Sequence, residues 1–182
     1  MRSFGSNAVV LSAKSYSEAD KIITVFSKDF GKLTLMAKGV KRLKSRKRGS
    51  LEVFSNIKFF AHRGHGMPVM TEVEIIDNFV DLRKDLKKVS VAYFFAEVVS
   101  KTTRDEEKHV EIYDLLVNFL KRLEVEESLK KLRHEFSISI AHKLGFIPKG
   151  QFVPNPDELL ENIIERKLGS VRVGKKLQSK LQ

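Results

Sequence analysis

Lys21-Ile22-Ile23-Thr24-Val25-Phe26-Ser27, then Lys28-Asp29-Phe30-Gly31, then Lys32-Leu33-Thr34-Leu35-Met36-Ala37-Lys38: two runs rich in β-branched and apolar residues flank a short connection. Gly31 can take the positive φ that a three-to-five-residue hairpin connection needs, so the stretch reads as strand, tight turn, strand. Working outward, similar runs occur at residues 7–11, 51–61 and 67–76, with Arg63-Gly64-His65-Gly66 as a second turn. Five short strands within the first eighty residues predict a small closed or nearly closed barrel.

Near Asn78 the hydrophobic period lengthens to that of helices. Leu82, Leu86, Val89, Tyr93, Ala96 and Val99 form one stripe, predicting a helix over residues 81–101. Ile112, Leu115, Leu116, Phe119, Leu120 and Leu123 form a second, with Asp105-Glu106-Glu107 placed where acids complement a helix dipole. A third, through Leu129, Leu132, Phe136, Ile140 and Leu144, is expected to stop at Gly145, with Pro148 beyond it. Asn155-Pro156-Asp157-Glu158 supplies a cap, a proline at the first helical position and an acid three residues after the cap, so a short helix through Leu168 follows. Gly169 ends it, and a basic tail follows, with Val173, Leu177 and Leu181 at helical spacing. The fold class is therefore α+β, a five-stranded barrel domain over residues 1–78 and a helical domain over residues 79–182 with short C-terminal helices.

The chain of 182 residues is 42% hydrophobic and 31% charged, which suits a packed core rather than global disorder. It has no cysteine. That excludes disulfides, a thiolate nucleophile, iron–sulfur clusters and cysteine-ligated zinc, and it fits a reducing cytoplasm. The apolar run at residues 8–11 is too short for a secretory signal, and Glu97 interrupts the run at residues 91–99, so no membrane segment is expected.

Net charge is +11, and residues 1–80 alone carry +7. Between Asp29 and Glu52 there is no acid, while Lys32, Lys38, Lys41, Arg42, Lys44, Arg46, Lys47 and Arg48 supply eight cations. From Lys38 to Ser50 the segment has too few apolar residues to pack, and its charges repel one another unless an anion is near; phosphates are that anion. A solvated linker is the bland alternative. The DNA-binding candidates are these eight residues together with Arg63. Phe30, Phe54, Phe59 and Phe60 are the aromatics nearby, mostly expected in the core; Phe59 and Phe60, being adjacent, must face opposite sides of a strand. With no tryptophan and only Tyr16 in this part besides the phenylalanines, phosphate attraction is expected to outweigh base stacking.

Catalysis finds little support. His62 and His65 straddle a glycine turn but lack a third ligand, and His134 and His142 lie two helical turns apart as surface or boundary residues. Gly64 and Gly66 lack the following helix of a phosphate loop, and Glu72 and Glu74 share a strand face expected to meet solvent or the basic loop. No cofactor and no metal are expected. An RNA-binding or ribosome-associated module and a basic protein–protein scaffold stay open as alternatives.

An ordered series of segments resembles the RecO family of bacterial recombination mediators: Ala8-Val9-Val10-Leu11, Tyr16-Ser17-Glu18-Ala19-Asp20, Thr24 through Lys32, Ala37-Lys38-Gly39 through Arg46, Leu51-Glu52-Val53-Phe54, Thr71-Glu72-Val73, Tyr93-Phe94-Phe95-Ala96-Glu97 and Leu144-Gly145-Phe146-Ile147-Pro148. The resemblance spans about residues 7–148. It implies an N-terminal OB-fold and a helical domain that bind single- and double-stranded DNA and anneal complementary strands. With a RecR partner, such proteins assist RecA in replacing single-strand-binding protein, in a cytoplasmic, nucleoid-associated setting. Many members carry a four-cysteine zinc module after the position of Pro148; here Lys149-Gly150-Gln151-Phe152 runs straight to Asn155-Pro156. The family is thought to hold the acidic tail of single-strand-binding protein on its helical domain, and the charge of Arg166, Lys167, Arg172, Lys175 and Lys176 suits such a tail.

Overall fold

The computed structural model describes residues 2–41 and 51–164. Within them lie β1 (Arg2–Ser15), β2 (Lys21–Ser27), β3 (Gly31–Ala37), β4 (Asn56–Arg63) and β5 (Val69–Asp77). α1 (Leu86–Thr102), α2 (Val110–Val125), α3 (Leu129–Lys143) and α4 (Pro156–Ile164) follow. The chain groups into two units. One comprises Met1–Asn78 with Thr103–Asp114, the other Phe79–Thr102 with Leu115–Gln182.

In the first unit the strands close in the order β1-β2-β3-β5-β4. Closure depends on β1, which pairs antiparallel with β2 through residues 8–15 and with β4 through residues 2–9. A bulge between Val10 and Ser12 lets it turn from one neighbour to the other. The seam between β3 and β5 is parallel and short, Met36 opposite Val69, with the Met36 N–H donating to Pro68 O at 2.8 Å. This ring is the small five-stranded barrel expected from the strand pattern, and its order is that of the OB-fold the resemblance implies. Its interior is filled by alternate residues such as Val10, Ile23, Val25, Leu35, Ile57 and Phe59, all fully buried. Phe59 and Phe60 face opposite ways as expected, the first buried and the second 44% exposed.

Three expectations need correction. β1 extends well beyond residues 7–11, because its polar start through Ser3 and Ser6 is held by pairing to β4 rather than by its own hydrophobic pattern. The strand expected over residues 51–61 starts only at Asn56: Phe54 adopts φ 77°, which turns the chain while Phe54 N–H still donates to Val10 O at 2.8 Å. The helix expected over residues 81–101 is split at Asp85, which is extended (φ −117°, ψ 114°) and caps α1 by accepting the Lys87 N–H at 2.8 Å.

In the second unit Phe94, Phe95, Phe119 and Phe136 form an aromatic cluster, Phe95 and Phe136 lying 4.2 Å apart between ring centroids. The expected α1 stripe is buried at Ala96 and Val99, as is Leu82 before the helix, but not at two other positions. Leu86 and Tyr93 are exposed, and Phe94, Phe95 and Val98 are buried in their place. α3 ends as expected, Gly145 at φ 79° with Gly145 N–H bonded to His142 O and Phe146 N–H to Ala141 O. α4 opens on the expected reciprocal cap: Asn155 Oδ1 accepts the Glu158 N–H at 3.4 Å and Asn155 Nδ2 donates to the Glu158 carboxylate at 3.0 Å. The basic tail lies outside the described residues.

Candidate nucleic-acid interface

Lys38 follows the end of β3 and is exposed. The next residues are tied to the turn between β1 and β2. Gly39, at φ 67°, donates its N–H to Asp20 Oδ1 at 2.8 Å, Lys41 N–H donates to Ala19 O at 3.0 Å, and Lys41 Nζ donates to Ser17 O at 2.6 Å. The turn is itself closed by Tyr16 N–H to Asp20 O at 3.1 Å and Asp20 N–H to Ser17 Oγ at 3.2 Å. The chain thus enters the segment bearing Arg42, Lys44, Arg46, Lys47 and Arg48 from a hydrogen-bonded root. Those five residues lie outside the described ones, as do Arg166, Lys167, Arg172, Lys175 and Lys176.

Lys32 and Arg63 are placed differently. Thr103–Asp114 packs as a strap along the barrel, with Lys32 and Asp105 forming a parallel bridge and Glu106 N–H donating to Lys32 O at 2.9 Å. Lys32 Nζ donates to Thr103 O at 2.8 Å and lies 3.2 Å from the Asp105 carboxylate. Arg63 pairs with Glu106 at 2.7 Å and stands over the Phe4 ring, 5.7 Å from its centroid. Lys108 and Asp29 lie 3.6 Å apart, and Lys28 meets Asp114 at 3.1 Å. Asp105 and Glu106 therefore answer barrel cations, and Glu107 lies 3.3 Å from His109, instead of the run capping α2, whose first-turn acid is Glu111.

Two features of this unit escaped sequence reading. The strap needs residues far apart in the chain to meet, and only the complementary signs of Asp105-Glu106-Glu107 and the barrel hinted at it. The other is a buried pair: Tyr113 Oη donates to Asn56 Oδ1 at 2.8 Å, and burial pushes the phenol above its ordinary pKa of 10.0.

Among the candidates for other chemistry, His62 Nδ1 lies 3.3 Å from Ser3 Oγ, and no three His, Asp or Glu residues are grouped to hold a metal among the described residues. Among those residues no helix is long and apolar enough to cross a membrane.

Residues 1–79 match the family model described as Recombination protein O N terminal, and residues 83–152 the one described as Recombination protein O C terminal. The chain is 32% identical over 148 residues to the DNA repair protein RecO of Pelotomaculum thermopropionicum, covering 81% of this chain and 57% of that protein. It is 30% identical over 151 residues to the protein of that name from Caldanaerobacter subterraneus subsp. tengcongensis, covering 81% and 60%. Against that of Myxococcus xanthus it is 30% identical over 150 residues, covering 82% and 62%. The chain thus spans roughly three fifths of the length of these curated relatives.

Proposed function

The chain belongs to the RecO family of DNA repair proteins, and from that premise we propose that it is a non-enzymatic mediator that binds single- and double-stranded DNA through the basic segment of its barrel. One observation carries the reading: the acid-free run of cations leaves the barrel at Lys38, and just beyond it the Gly39 and Lys41 N–H groups and Lys41 Nζ are bonded to the neighbouring turn. A fixed root lowers the ordering cost of bringing several cations to one phosphate backbone. Cations placed between two backbones reduce their mutual repulsion, and with no base-edge readout any complementary pair of strands can meet; strand annealing follows.

Assistance to RecA, a RecR partner, capture of the single-strand-binding-protein tail by Arg166, Lys167, Arg172, Lys175 and Lys176, and a cytoplasmic setting belong to the same proposal and rest on family membership. The experiment is a gel-shift and annealing assay over a salt series, on the wild type and on a triple charge reversal of Arg46, Lys47 and Arg48, with thermal melting as a check on folding. If five or six cations displace counterions from a single strand, log affinity falls against log salt with a slope of roughly −3.5 to −4. The variant is expected to bind more weakly and with a flatter slope. Unaltered binding and slope would remove the reading, and a matched RNA competing better than DNA would favour an RNA-binding module.

A further inference from the structure

Building on the DNA-binding reading, we propose that Tyr16 heads a base-stacking platform on the outer face of β1, β2 and β3, and that this platform gives the chain a preference for single-stranded over duplex DNA. The alternation of the strands and their register define the face. Lys14, Ile22 and Met36 lie side by side in one row, and Ser12, Thr24 and Thr34 in the next. Ile22 and Met36 are half-buried, an apolar floor; Lys14 is exposed at one edge and Lys38 follows β3 at the other. No acid stands in either row. Tyr16 comes two residues after Lys14 and is 61% exposed.

The position of Tyr16 is fixed while its ring stays exposed. Its N–H is bonded to Asp20 O; of the two acids of this turn, the Asp20 carboxylate is turned onto the Gly39 N–H, while Glu18 is exposed to solvent. The same bonds tie the turn to the root of the basic segment. A strand whose phosphates follow Lys14, Lys38 and Lys41 therefore passes this ring.

The other exposed rings of the barrel are worse placed. Phe30 is engaged edge-on by Phe4 at 5.1 Å. Phe60 lies against Gly5, where even a Cβ would meet its Cδ1 at 2.6 Å; Lys58 Nζ already stands over its ring, 5.8 Å from the centroid, and it is opposite Glu72 with Glu74 nearby on β5. Carboxylates beside a ring deter the phosphates that accompany a base.

Stacking needs an unpaired base with a free face, which a single strand offers and a duplex interior does not. The test uses the full chain with oligo(dT) and a duplex of matched length. Tyr16→Ala is expected to lose about tenfold in single-strand affinity with the salt slope and duplex affinity unchanged, because a stacking ring contributes energy without charge. Tyr16→Phe is expected to keep the affinity. With no tryptophan and three tyrosines in the chain, tyrosine emission reports the contact directly: oligo(dT) should quench it in the wild type and not in Tyr16→Phe.

Unchanged affinity in Tyr16→Ala, equal losses on both DNAs, or quenching that persists in Tyr16→Phe would overturn the platform and leave the basic-segment reading standing. A wild type that binds neither DNA at low salt would overturn both.

Discussion

Gly31 and Glu107 are in backbone contact: a Cβ built on Gly31 would meet the Glu107 carbonyl oxygen at 1.8 Å and its carbonyl carbon at 2.5 Å. Gly31 also holds φ 67°, a conformation L side chains rarely adopt. The glycine that turns the first hairpin therefore also admits the strap. Gly31→Ala combines backbone strain with a clash against main chain that cannot swing aside, and should destabilise the protein by roughly 2–4 kcal/mol, read from urea unfolding. A loss of about 1 kcal/mol or less, no more than the left-handed backbone alone costs a side chain, would show that the strap does not constrain this position.

The strap's charge should matter more to binding than to stability. Arg63 and Glu106 are about half-exposed, and such pairs contribute about 0–1 kcal/mol. Glu106→Gln keeps the shape and removes the carboxylate that competes with phosphate for Arg63. Melting should scarcely change, single-strand affinity at low salt should rise, and the salt slope should steepen by about 0.7 if Arg63 gains one phosphate contact. An unchanged slope would mean that Arg63 serves the fold alone.

These features mark where sequence reading succeeds and where it stops. The hairpin around Gly31, the end of α3 at Gly145 and the cap at Asn155 were legible because each is written in adjacent residues whose chemistry serves one local geometry. The start of β1 was not, because Ser3 and Ser6 show no strand pattern and are held by β4. On α1, Ala96 and Val99 turn inward as read, but Tyr93 was misplaced because Tyr93-Phe94-Phe95 is apolar on every side, so periodicity cannot select which ring turns inward. In the candidate site, Lys38 and Lys41 stood out by charge. The anchors of Lys41 did not, since the carbonyls of Ser17 and Ala19 carry no residue signature.

Phe136 should be the most sensitive position of the helical unit. It is fully buried and touches Phe94, Phe95 and Phe119, with centroid distances of 6.4, 4.2 and 5.3 Å. Phe136→Ala leaves a cavity among rings that collapse poorly, at a cost of about 3–5 kcal/mol in chemical unfolding. Phe136→Leu, which keeps most of the volume, should recover much of that loss. Equal losses for the two variants would indicate that ring stacking, not cavity volume, dominates there.

Tyr113 gives the barrel unit an alkaline sensitivity whose sign can be worked out. Burial raises its pKa above the 10.0 of an exposed phenol, and the nearby Asp114 and Asp29 push in the same direction, while the hydrogen bond to Asn56 opposes them. Above pH 10.0 the unfolded chain therefore binds fewer protons here than the folded one, so this group's contribution is complete below that pH and is lost as pH climbs towards the folded value. Tyr113→Phe removes the titration but also strips the buried Asn56 carbonyl of this donor, costing about 1–3 kcal/mol near neutrality. Urea unfolding of both proteins between about pH 8 and about pH 11 should show the wild type ahead at the lower end and its lead shrinking at the upper end. A lead that stays constant across the range would mean that the phenol does not remain protonated in the folded state beyond its ordinary range.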